Sequence, residues 1–147
     1  MLLDLERYDE AITDFTSAIK LAPDSPNSYN NRATAKLMKG DHAAAVEDCQ
    51  QALQLKLDYA NAYNNLGNIY KRSGDLQRAL ENYSRAIALA PGDPLIYNNR
   101  AALHFALKQY DKALEDLQQC QTLGGTPHAG LVQAVLEAIK DRQQENK

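Results

Sequence analysis

Shifted by 34 residues, the chain lies upon itself. Tyr29 falls on Tyr63 and Tyr97, Ala11 on Ala45, Ala79 and Ala113, and Ala18 on Ala52, Ala86 and Cys120. The same shift puts Phe15 on Cys49, Tyr83 and Leu117, Gly40 on Gly74, Pro23 on Pro91, and Asn30-Asn31 on Asn64-Asn65 and Asn98-Asn99, with no insertion. A period of this length marks one supersecondary unit that can bury its apolar face only against its neighbours. The 147 residues are therefore read as a stack, with no single globular core.

Each unit reads as two helices, because apolar and small residues recur at steps of three and four on both sides of a Gly-Asp turn, Gly40-Asp41 or Gly74-Asp75. Ser25-Pro26 and Asp93-Pro94 set an N-capping side chain before a proline at the first helical position, where its missing N–H costs nothing. Gly40 and Gly74 suit the left-handed end of a first helix, and Asp41 and Asp75 cap a second one. Ala45, Ala79 and Ala113, with Ala18, Ala52 and Ala86, let two helix axes come close while tyrosines fill the remaining space.

These residues resemble the tetratricopeptide repeat, with its aromatic at position 4, small residue at 8, Ala at 20, aromatic at 24, Ala at 27 and Pro at 32. Tyr63, Gly67, Tyr70, Ala79, Tyr83, Ala86 and Pro91 follow that pattern, Tyr70 taking position 11. Other units depart from it: Leu57 and Gly125 replace the proline, Lys36 and His104 the second aromatic, and Lys108 the turn glycine. The resemblance covers residues 1–127. It implies an all-α, right-handed superhelical solenoid of antiparallel helix pairs, about seven helices in all. Residues 1–147 form one domain: a partial repeat 1–25, full repeats 26–59, 60–93 and 94–127, and a capping helix 128–147. The partial repeat is expected to hold a second helix preceded by only a stub of its first. The cap presents Ala129, Val132, Val135, Leu136 and Ile139 on one face and ends in a polar run from Asp141 to Lys147.

Composition excludes several classes. The formal charge of −3 leaves no basic excess to neutralise phosphates, so nucleic acid is not expected as a partner. No apolar run approaches the roughly 20 residues of a membrane span, and the first residues carry no secretory signal. Cys49 and Cys120 sit on apolar stripes as small hydrophobes, a usage that suits a reducing cytoplasm. His42, His104 and His128 have no second ligand at metal-binding spacing, and neither a nucleophile elbow nor a phosphate loop is present. No metal, no cofactor and no enzymatic activity are expected. The acid pairs Glu47-Asp48 and Glu115-Asp116 are read as parts of a solvated outer face.

Function is then sought in the asymmetry between helices. First-helix segments 26–40, 60–74 and 94–108 carry Arg32, Lys36, Lys39, Lys71, Arg72, Arg100 and Lys108 and no carboxylate. Second-helix segments hold eight acids against three bases. First helices line the concave groove in the family, so the resemblance implies a comparatively positive groove and a protein or peptide ligand that could be acidic. Five of those cations also lie near first-helix C-termini, where the helix dipole favours them without any ligand. The groove-lining set is Asn27, Asn30, Asn31, Thr34, Asn61, Asn64, Asn65, Asn68, Arg72, Asn98, Asn99 and Arg100.

Asparagine is a poor interior helix former, and its amide can pair with the backbone of an extended peptide. Asn31, Asn65 and Asn99 at position 6 resemble the asparagine ladder of the repeat domain in O-linked N-acetylglucosamine transferases. Helix packing is the competing reading. The two-carboxylate clamp of family members that bind heat-shock chaperones is not matched: of Asn30, Thr34, Asn65, Leu95 and Asn99 at its positions, only Asn65 fits. The expected role is a non-enzymatic protein-interaction scaffold. Its rivals are a self-assembling structural module, which includes a homodimer through the incomplete N-terminal repeat, and an accessory segment of a larger enzyme.

Overall fold

The computed structural model describes the backbone of residues 2–145 and the side chains of residues 5–145. It contains eight α-helices and no strand among the described residues: α1 (Leu2–Leu21), α2 (Pro26–Lys39), α3 (His42–Leu55), α4 (Ala60–Ser73), α5 (Leu76–Leu89), α6 (Pro94–Ala106), α7 (Tyr110–Thr122) and α8 (Ala129–Glu145). They stack as the expected right-handed all-α solenoid, with α2 on α3, α4 on α5 and α6 on α7 as its closest pairs. The helix count exceeds the expected seven by one.

Local chemistry sets the helix ends. Ser25 accepts from the Ser28 N–H, Asp41 from Ala44, Asp75 from Arg78 and Asp93 from Leu95. Gly40 and Gly74 adopt φ of 90° and 85°, and their N–H groups bond back to Leu37 and Lys71. Lys108 takes the same turn without a glycine at φ 58°, a conformation that costs a side-chain-bearing residue roughly 1 kcal/mol or more. At the N-terminus the positions equivalent to Gly40-Asp41 are Glu6-Arg7, which supply neither a left-handed residue nor a cap. The expected stub therefore does not form a separate helix, and α1 runs unbroken through 20 residues.

The core follows the small residues. Ala45, Ala79, Ala113, Ala52 and Ala86 are fully buried, as are Cys49 and Tyr83. A Cβ added to Gly67 would lie 2.5 Å from the Tyr83 ring, so α4 and α5 meet at van der Waals distance there. The Tyr83 hydroxyl donates to Asn68 Oδ1 at 2.6 Å and holds the ring in place. The capping helix packs by a shifted stripe: Leu131, Val132, Val135 and Ile139 meet Ala101, Ala113 and Leu117. The expected members Ala129 and Leu136 stay exposed, because centring the stripe on Val135 turns them aside.

Gly67→Ala is expected to destabilise the fold by roughly 1–3 kcal/mol, since the anchored ring cannot withdraw from the new methyl group. Thermal and urea melts of the variant check this; an unchanged midpoint would show that the contact is loose.

Candidate functional site

The asparagines of the first helices divide into bonded and free groups. Asn65 Nδ2 faces the Asn30 carbonyl at 3.3 Å, Asn30 Oδ1 at 2.9 Å and Thr34 Oγ1 at 2.9 Å. A carbonyl oxygen can only accept, so this geometry fixes the amide nitrogen toward α2 and turns Oδ1 the other way. One repeat further, Asn99 Nδ2 donates to Asn64 Oδ1 at 3.0 Å. Neighbouring first helices are thus tied by an asparagine at position 6 donating to one at position 5, and Asn30 and Asn64 are buried beneath the contact. Asn65 Oδ1 and Asn99 Oδ1 make no hydrogen bond among the described residues and remain as acceptors.

The other members of the set are placed as follows. Asn31 and Asn61 are exposed, with no side-chain hydrogen bond among the described residues. Asn27 Oδ1 accepts from Tyr59 Oη at 2.6 Å, Asn68 Oδ1 from Tyr83, and Asn98 Oδ1 from the His128 N–H at 3.0 Å, which fastens α6 to the start of α8. Thr34 donates back to the Asn30 carbonyl. Arg72 is exposed and reaches across to the Leu37 carbonyl and Met38 Sδ at 3.5 and 3.6 Å.

Arg100, expected in the groove, lies between α6 and α7. Its Nε and Nη2 hold the Asp116 carboxylate at 2.8 and 2.7 Å, and Nη1 reaches Ser84 Oγ on α5 at 3.4 Å. These hydrogen bonds from Asp116 hold the guanidinium pKa above its ordinary value against the opposing effect of burial. His104 Nε2 approaches the same carboxylate at 3.7 Å while its Nδ1 lies 2.8 Å from Gln109 Oε1. The arrangement recurs 68 residues earlier: Arg32 grips Asp48 by two bonds of 2.8 and 2.7 Å and reaches Thr16 on α1 at 3.1 Å, with Lys36 2.8 Å from the same acid. Each cluster pins three helices.

The outer-face reading of the acid pairs is thereby corrected. Glu47 and Glu115 do face solvent, but Asp48 and Asp116 are 4% and 5% exposed. Adjacent helical residues are turned about 100° apart, which puts one member of each pair inward. The charge argument contracts with it: Arg32, Lys36 and Arg100 are neutralised by these acids and Lys39 by Asp9. Lys71 and Arg72 are left on α4, where burial, and secondarily Arg72, lowers the Lys71 pKa.

Neither cysteine is poised for chemistry. Burial pushes the Cys49 thiol up to about 12, and that of Cys120 also upward. Among the described residues no three His, Cys, Asp or Glu side chains are grouped to hold a metal, and no helix is long and apolar enough to cross a membrane.

Three sequence models of one family match the chain: two described as tetratricopeptide repeat over residues 24–92 and 66–140, and one as TPR repeat over residues 1–40. No match was found among curated proteins. Among solved structures, the chain superposes on TTC0263, a thermophilic TPR protein of Thermus thermophilus, with a TM-score of 0.77 and 26% identity, covering 96% of this chain and 77% of that one. The MamA protein gives 0.67 and 25%, covering 79% and 63%. YrrB, described as a TPR protein with an unusual peptide-binding site, gives 0.67 and 24%, covering 74% and 56%; that likeness shows the fold alone. The matched region therefore spans about three-fifths of the MamA chain.

Arg100→Leu is expected to cost about 2 kcal/mol, below the usual 3–5 for a broken buried pair because Arg100 keeps some solvent contact. Adding Asp116→Asn should restore most of it, since the middle repeat already places Leu66 and Asn82 at these two positions. Urea unfolding of the single and double variants measures the recovery; equal losses in both would show that the pair is not coupled.

Proposed function

Because the chain belongs to the tetratricopeptide repeat family, we propose that it is a non-enzymatic scaffold that holds an extended segment of another protein along its first helices. The observation that supports this most is the pair of unspent acceptors, Asn65 Oδ1 and Asn99 Oδ1, one repeat apart on helices that the amide bonds hold in register. An extended peptide offers a main-chain N–H on one side every second residue, whatever its side chains, and outward carbonyl acceptors suit those donors. Asn31 supplies a third amide on α2. Lys71 and Arg72 favour a ligand with a carboxylate near α4, a narrower preference than the seven cations alone would suggest.

A decapeptide selected from an unstructured display library against the chain gives a usable probe. Asn65→Ala is expected to weaken its binding roughly three- to tenfold, the equivalent of one hydrogen bond of about 0.5–1.5 kcal/mol. N-methylation of the peptide amide that meets Asn65 should produce the same loss and no further loss in the variant. Calorimetric titration reads both. Full affinity in an Asn31→Ala, Asn65→Ala, Asn99→Ala variant that remains folded would return the asparagines to helix packing alone.

A further inference from the structure

In the three complete helix pairs the second-helix positions occupied by Ala11, Phe15 and Ala18 in α1 are closed. Ala45, Ala79 and Ala113 are 0% exposed, as are Cys49, Tyr83, Ala52 and Ala86, while Leu117 and Cys120 are 2%. In α1 the same positions keep residues of the buried type, yet all three are only half-buried. They belong to a cleft of about 290 Å³ between α1 and α2, lined by Tyr8, Ala11 and Phe15 on one side and by Asn31, Ala35 and Met38 on the other. Nothing among the described residues covers it.

The interior of the same chain shows what fills such a cleft. Between α5 and α6 it is α4, which sets Gly67 against Tyr83, the counterpart of Phe15. Between α3 and α4 it is α2, which offers the acceptors Asn30 and Thr34 to Asn65, the counterpart of Asn31. A filling helix therefore needs a small residue where it crosses Phe15, and hydrogen-bond acceptors three residues before and one after it to meet Asn31. α8 has Val132, Val135 and Leu136 at the corresponding positions, and α2, α4 and α6 are already packed in the stack.

We propose that this cleft is a second binding site, distinct from the extended-peptide groove, which takes an amphipathic helix of another polypeptide carrying a small residue flanked by such acceptors. The occupant completes the helix pair that α1 begins, closing Phe15 as Tyr83 is closed. An isolated helix of this length is marginal in water, so the helix forms as it docks.

The probe is a fluorescein-labelled synthetic peptide of residues 58–75, which contains α4 and with it Asn64, Gly67 and Asn68. Titrated with the full chain up to the peptide's solubility limit, it should bind saturably, with helical circular dichroism rising on binding. A Gly67→Phe peptide should bind at least tenfold more weakly. In the protein, Met38→Arg changes an exposed residue of the cleft and should cause a similar loss, whereas the Asn65→Ala, Asn99→Ala variant should bind as the parent does. Absence of saturable binding, or equal binding of the Gly67→Phe peptide, overturns the proposal. So does loss in the Asn65→Ala, Asn99→Ala variant with retention in Met38→Arg, which would put the peptide in the groove. A dimer in sedimentation that excludes the peptide and that Met38→Arg dissociates would give the cleft to a second copy of the chain and overturn it equally.

Discussion

The closeness of paired helices is the constraint from which the rest of this molecule follows. Where α4 meets α5, Gly67 lies so near the Tyr83 ring that even a methyl group has no room. Fully buried alanines recur at the equivalent crossings of the other pairs. Side chains this small leave helix separation to be fixed by backbone against ring, so each pair has nearly the same width and the stack advances by equal steps. Equal steps bring Asn65 within 3 Å of Asn30 and Asn99 within the same distance of Asn64, and a longer or looser spacing would break both bonds.

Between those contacts the chain uses two different solutions to one packing problem. The repeats containing α2 and α6 fill the gap between three helices with a guanidinium gripping a buried aspartate, and the repeat containing α4 fills it with Leu66. A buried ion pair contributes little net stability over an apolar group of similar size, but it strongly penalises any arrangement that separates its members. Because Arg32 also reaches α1 and Arg100 also reaches α5, the polar clusters favour one order and register of helices, while the apolar middle repeat supplies burial. The same clusters consume most of the basic charge on the first helices, which is why counting cations along them overstates how positive their surface is.

The two faces of the asparagine rows have different physical roles. Their nitrogens and the buried asparagines at position 5 serve the stack, and their oxygens at position 6 face away from it. The packing and ligand readings of these residues are therefore compatible, since an amide has separate groups with which to satisfy each. At α2 the row loses its structural half: Asn31 has no preceding first helix to receive its donors, and it sits at the rim of the open cleft beside α1.

The sequence by itself determined the helices, their ends and their pairing, because caps, left-handed glycines and the 34-residue recurrence of small residues are local signals that read the same in every unit. It also marked Cys49, Cys120, Ala79 and Tyr83 as interior. Only the tertiary structure decided which partner each polar side chain takes. Asp48 and Asp116 look like any acid on a helix until the helix is rotated against its neighbours, and a signal was there to be read, in the pairing of Arg at position 7 with Asp at position 23 in two repeats and the loss of both in the third. The unbroken α1 was decided by the missing Gly-Asp turn at residues 6–7, a local feature, but the opening beside it was not. Whether Phe15 is closed depends on a helix contributed from outside its own segment, and no periodicity within α1 can report whether that helix is there.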